Sequence, residues 1–159
     1  KNIDSYQEAF DLLFKSVVHT TSLVIPHMQK NKWGRIINVT SVSVKEPLNY
    51  LVLSNSIRSA VVAWAKSLSV DVGKDGITIN SILTGYFDTE RIKELNKEKS
   101  KSLNISENEV LEKMKSLVPI NRLGKPEEYG YLVSFLSSDK ASYINGASIP
   151  IDGGLLKSY

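Results

Sequence analysis

Long stretches of helical apolar spacing alternate with short β-branched runs, and this alternation constrains the chain more than any single residue does. Between residues 5 and 31, Tyr6, Phe10, Leu13, Phe14, Val17, Val18, Thr21, Ile25 and Met28 recur at helical spacing, the pattern of an amphipathic helix. Ser5 and Glu8 have the spacing of a capping box, in which hydroxyl and carboxylate each satisfy a free backbone N–H. Pro26 falls in the last turns, where it bends a helix without having to end it. A stop is expected between Asn31 and Gly34. Residues 35–40 then read as a short buried strand.

A loop containing Pro47 leads to a second helix over residues 53–72, with Ile57, Val61, Trp64 and Leu68 along one stripe. Gly73 and Asp75-Gly76 end it. Residues 77–83 form the second strand, broken by Thr84-Gly85. Residues 88–118 are charged and lysine-rich, and Ser106 with Glu109 is a second capping-box match. Pro126 opens a further helix at the position proline favours, followed by two acids that suit the positive helix end. Asn145-Gly146 turns the chain into a last strand, residues 147–151. Pro150 has no N–H to give to a ladder, so this strand belongs at a sheet edge. Helix, strand, helix, strand, helix, strand is the rhythm of a parallel sheet with covering helices. One α/β domain of about three strands is expected, thin for its class and therefore incomplete.

Composition removes several functions. There is no cysteine, so disulfides, thiolate metal sites and cysteine nucleophiles are excluded. His19 and His27 read as ordinary helix-surface residues, and no metal site is expected. A net charge of +3 is a mild, dispersed excess that does not argue for nucleic acid or a membrane surface. Lysines 93, 97, 99 and 101 alternate with Glu90, Glu94 and Glu98, as on a solvated helix face. No run approaches the roughly 18 apolar residues of a membrane span, and the first residues do not resemble a signal peptide, so a cytoplasmic protein is expected. The sequence begins at Lys1 and not at a methionine, and a preceding segment is expected.

Four short motifs, in order along nearly the whole chain, resemble the short-chain dehydrogenase/reductase family. Gly34 to Ser41 is similar to the strand that leads to the family's catalytic serine. Thr84-Gly85-Tyr86-Phe87-Asp88-Thr89 resembles the Pro-Gly turn beside the nicotinamide. Pro119 to Glu128 resembles the segment before the last helix, and Ile151-Asp152-Gly153-Gly154 the Val-Asp-Gly-Gly ending. The resemblance implies the C-terminal part of a doubly wound, Rossmann-like parallel sheet and a cofactor, NAD or NADP. It covers only the later part of the family fold. The Thr-Gly-x-x-x-Gly-x-Gly turn that holds the cofactor pyrophosphate has no counterpart here.

The resemblance also places the site. Ser41 matches the family serine. Counting thirteen residues on from it, then four, reaches Ser54 and Arg58, where the family has tyrosine and lysine. Residues 65–69 resemble the family segment just downstream and fix the same register. The family asparagine falls at Leu13. Tyr50, the nearest phenol, fits only after a four-residue slip that this register opposes. Ser43 to Pro47 with Leu53 to Arg58 resembles a divergent branch in which these substitutions are regular. Expected catalytic residues are therefore Ser41, Lys45, Ser54 and Arg58. Expected cofactor contacts are Arg58, Thr84, Gly85, Tyr86, Phe87 and Thr89. Plainer roles compete: Lys45 as a solvated loop lysine, Thr89 as a helix N-cap, Gly85 as a turn residue.

A serine hydroxyl is a far weaker acid than a phenol, and an arginine fork does not replace an ammonium. Lys45 or Arg58 would instead polarise a carbonyl oxygen. Two functions follow. One is an NAD(P)-dependent oxidoreductase acting on a small carbonyl or alcohol substrate within a longer parent protein, this portion alone being inactive. The other is a pseudoenzyme scaffold that binds a nucleotide or a protein partner. A free-standing, non-enzymatic domain is disfavoured by its open sheet edge. Apolar residues beyond a single stripe on helices 5–31 and 53–72, such as Val17 with Val18 and Val61 with Val62, predict a homo-oligomer built through them.

Overall fold

The computed structural model describes residues 2–48 and 51–158. The first helical stretch is α1 (Ile3–Phe10), a π-helical turn (Asp11–Lys15) and α2 (Ser16–Asn31) in one continuous run. The capping box expected at Ser5 does not form. Asn2 caps the helix one turn earlier: its Oδ1 accepts from the Ser5 backbone N–H at 3.1 Å and from the Ser5 hydroxyl at 2.8 Å. Ser5 is thus already helical. Pro26 stays inside α2, and Lys32 ends it in the left-handed conformation, within the expected stop.

Three strands follow: β1 (Gly34–Ser41), β2 (Ile77–Thr84) and β3 (Ser148–Ile151), ordered β1-β2-β3 and parallel throughout. β2 is the centre, and Ile77, Ile79, Ile82 and Leu83 are 0% exposed. β3 pairs with β2 alone among the described residues, so Pro150 lies on an edge strand as expected. Asn145-Gly146 sets its entry. Asn145 Oδ1 accepts from the Ile79 N–H at 2.9 Å, Gly146 N–H donates to the Ile79 carbonyl at 2.9 Å, and Asn80 Oδ1 accepts from Ala147 N–H at 3.0 Å. Gly146 has φ +68°, and a Cβ there would lie 2.5 Å from Ser69 Oγ, so the turn requires glycine.

Each sheet face has its own core. Ile77 and Ile79 pack with Ala65, Val72, Trp64 and Leu68 of α3 (Val52–Val72) and with Ile25 and Met28 of α2. Ile82 packs on the other face with Leu136, Leu132 and Val133 of α6 (Pro126–Leu136). The chain moves in one direction across the sheet, from β1 to β2 to β3, but its connecting helices lie on opposite faces. The two crossovers therefore have opposite hands, so one departs from the usual right-handed rule. Between β2 and α6 come α4 (Glu90–Leu103) and α5 (Glu107–Ser116), the latter opened by the expected Ser106–Glu109 capping box.

β1 has no strand on its other side among the described residues. There Val39 is 60% exposed. No described helix is long and apolar enough to cross a membrane.

Candidate active site

Parallel strands bring their C-terminal residues to one edge. The register pairs Ser41 with Thr84 and Thr84 with Ile151. At this edge, segments far apart in sequence lock together. Gly85 N–H donates to the Ile151 carbonyl at 3.1 Å, and a Cβ on Gly85 would stand 2.6 Å from Asp152 Cα. No side chain fits there. The Asp152 carboxylate accepts from the N–H groups of Gly154 at 2.9 Å and Leu156 at 2.8 Å, so it organises the turn and is not free for acid–base work. Phe87 bridges to Gly124: Gly124 N–H donates to the Tyr86 carbonyl and Asp88 N–H to the Gly124 carbonyl, both at 2.9 Å.

A cavity of about 240 Å³ opens between these segments, lined among others by Tyr86, Phe87, Arg122, Glu128 and Asp152. Arg122 grips Glu128 through two bonds of 2.8 and 2.7 Å, a fork-to-fork pair. That guanidinium first, and the Lys125 N–H second, hold the Glu128 carboxyl at about 2. Tyr129 was not among the expected site residues. Its phenol lies 3.2 Å from Thr84 Oγ1 and its ring meets Phe87 edge-on at 5.3 Å. Burial raises its pKa, opposed by the Thr84 hydrogen bond and the Arg58 charge.

The expected catalytic residues are not gathered in one cavity. Ser41 ends β1 and caps the 3-10 turn Val42–Val44, its Oγ accepting from Ser43 N–H at 3.2 Å. Arg58, two turns into α3, donates from Nη1 to the Val39 carbonyl at 3.1 Å, two residues before Ser41 on the same strand. Ser54 sits in the first turn of α3, half-exposed. Lys45 lines a second cavity with Lys66 of α3; neither that cavity nor the strand-end cavity is lined by Ser41, Ser54 or Arg58. The neighbouring Glu46 accepts from the N–H groups of Lys157 and Ser158, both at 2.7 Å, which keeps that carboxyl below its usual range. Thr89 caps α4 through a 3.4 Å bond to Ile92 N–H, the plainer of its two roles. Leu13 lies in the π-helical turn, and Tyr50 lies outside the described residues.

These residues fit one end of a dinucleotide. Arg58 keeps donors beyond the one used on Val39, and the Phe87 bridge uses the Tyr86 carbonyl and Asp88 N–H, turning Phe87's own N–H to the other side. A pyrophosphate cradle of successive glycine N–H groups is not found among the described residues, nor is a group of three acids or histidines suited to a metal.

Residues 2–156 match the family model described as enoyl-(acyl carrier protein) reductase. The chain is 34% identical over 131 residues to the NADPH-dependent reductase BacG of Bacillus subtilis, covering 82% of this chain and 51% of that one. It is 29% identical over 159 residues to the 3-oxoacyl-[acyl-carrier-protein] reductase FabG of Pseudomonas aeruginosa, 98% of this chain and 58% of that one. The chain thus spans about half the length of the curated relatives it matches. Among solved structures, the L-sorbose reductase of Gluconobacter frateurii, complexed with NADPH and L-sorbose, superposes with a TM-score of 0.93 at 28% identity, covering 100% of this chain and 61% of that one. With a sheet, a set of strand-end motifs and a family match that agree, the chain belongs to the short-chain dehydrogenase/reductase family, as the C-terminal portion of its fold.

Proposed function

We propose that this chain is the catalytic portion, one incomplete domain, of an NAD(P)-dependent oxidoreductase acting on a small carbonyl or alcohol substrate in the cytoplasm. The observation that carries the reading is the meeting of Ser41, the Arg58–Val39 bond and the Thr84–Phe87 turn at one sheet edge. A bound nicotinamide supplies the hydride chemistry. Arg58 holds its ribose and places a fixed positive charge near the reacting oxygen, where charge develops as the carbonyl is reduced. The Phe87 N–H would hold the carboxamide, with Thr84, Gly85, Tyr86 and Thr89 shaping the turn around it. Arginine does not release its proton near neutral pH. The hydroxyls of Ser41 and Ser54 therefore relay the proton from solvent to the oxygen. Lys45, which lines the second cavity with Lys66, is given no step in this scheme.

The full-length protein carrying Arg58→Ala is the test. Both turnover and NAD(P)H affinity should fall, each by about tenfold or more, the scale of losing one charge-assisted contact. Unchanged turnover and cofactor affinity would remove Arg58 from the site. The 159-residue chain by itself should bind NAD(P) weakly or not at all in a calorimetric titration, since no pyrophosphate cradle is found among its described residues.

The pseudoenzyme reading retains one specific support: the Ser54 hydroxyl has no hydrogen-bond partner among the described residues to make it a better acid. An intact protein that is inactive, yet gains activity on Ser54→Tyr with Arg58→Lys, would decide for that reading. We also propose a homo-oligomer through α1–α2 and α3. Its support comes from residues other than the valines singled out by sequence. Val61 is buried and Val17, Val18 and Val62 are half-buried, whereas Leu12, Leu23 and Val70 are 71%, 66% and 74% exposed.

A further inference from the structure

The opposite hands of the two crossovers leave a gap. Because α6 covers the sheet on the face away from α3, no described helix covers β3 on the α3 side. The gap is a cavity of about 450 Å³, within the range of small-molecule sites. It is lined by Leu83 of β2 and Ser148 of β3, by Ser59, Val62 and Lys66 of α3, and by Lys45.

Its charge is one-sided. Neither Lys45 nor Lys66 has a carboxylate within ion-pair distance among the described residues, although other lysines of the chain do. The carboxylate nearest in sequence, Glu46, is engaged by the backbone of residues 157 and 158. Lys66 lies close to the Gly146 turn. Its Nζ and Cδ lie 2.8 and 2.9 Å from where a Cβ on Gly146 would stand, so the side chain crosses the turn before β3. Glycine at 146 makes the room for it. Two ammonium groups and two hydroxyls over an aliphatic floor match an anionic head joined to an apolar body, since a charge leaving water needs an opposite charge and hydrogen bonds to receive it.

We propose that this cavity binds a small amphipathic anion, a carboxylate or phosphate monoester with a short aliphatic chain, at a site separate from the strand-end site. The proposal does not depend on the oxidoreductase reading. The full-length protein would be titrated with octanoate, octyl phosphate and the uncharged octyl glucoside, with binding read by calorimetry and by chemical-shift changes around Lys45, Lys66 and Ser148. Saturable binding of octanoate, octyl phosphate or both, with octyl glucoside at least tenfold weaker, is expected, and the stronger of the two anions identifies the head group. Lys66→Ala and Lys45→Ala should each weaken it by about tenfold, Lys66→Arg should largely retain it, and Val62→Trp should abolish it by filling the cavity. Binding that is equal for octyl glucoside, insensitive to both lysine variants, or absent for both anions would overturn the proposal.

Discussion

At the scale of single residues, hydrogen-bond geometry separates groups that organise the site from groups available for chemistry. Asp152 and Glu128 both stand at the strand-end cavity, yet their oxygens are spent on backbone N–H groups and on Arg122. Glu128 illustrates the cost of reading carboxylates from sequence alone. Its pKa is depressed from 4.5 to about 2, so its contribution to stability is complete above pH 4.5 and is lost as the pH falls towards 2. In Arg122→Ala the largest cause of the depression is gone and the Lys125 N–H remains. The Glu128 pKa should then settle between about 2 and 4.5, measurable by carboxyl carbon NMR titration, and acid destabilisation should begin at higher pH. An unchanged pKa would show that the backbone, not the guanidinium, sets it.

At the scale of elements, local chemistry was legible wherever it was short-range. Ser106 with Glu109 and Pro126 at the first helical position both act within one turn of chain, and each was readable. The capping box at Ser5 misled because Asn2, an equally good cap, lies one turn earlier and adds a further turn of hydrogen bonds. Gly85 is different. Its sequence context said only that a turn was possible, but the structure puts Asp152 Cα against the place of its Cβ. Gly85→Ala should therefore push β2 and the Asp152 turn apart, lowering thermal stability and cofactor affinity together. Gly130→Ala, on α6 with open space around its Cβ, should by contrast hold or raise stability, by up to about 1 kcal/mol from helix propensity. A Gly85→Ala variant as stable as the wild type would refute the close approach.

At the scale of the whole molecule, surplus apolar surface is the dominant fact. Leu12, Leu23 and Val70 stand in solvent on the helices that cover one sheet face, and burying such side chains contributes roughly 25 cal/mol per Å². If these helices pair about a twofold axis, Leu23→Glu in the full-length protein should shift the light-scattering mass towards the monomer while leaving the helical circular dichroism intact. A mass unaffected by the substitution would place the interface elsewhere. The open side of β1, with Val39 exposed and its carbonyl held by Arg58, is a separate demand for a neighbour.

Sequence by itself determined the helix–strand alternation, the parallel sheet, the edge position of Pro150 and the strand-end motifs. The first three follow from periodicity and from residues acting on their near neighbours, the motifs from resemblance to a known family. It could not give the opposite faces that α3 and α6 take, because an amphipathic stripe fits either side and the right-handed rule would have put both helices on one face. That choice was made by tertiary packing, with Ile77 and Ile79 meeting α2 and α3 while Ile82 meets α6. From it came the uncovered floor beside β3, in the cavity that Lys45 and Lys66 line. Spacing along the chain does not fix which face a helix covers; the burial of two opposite faces does.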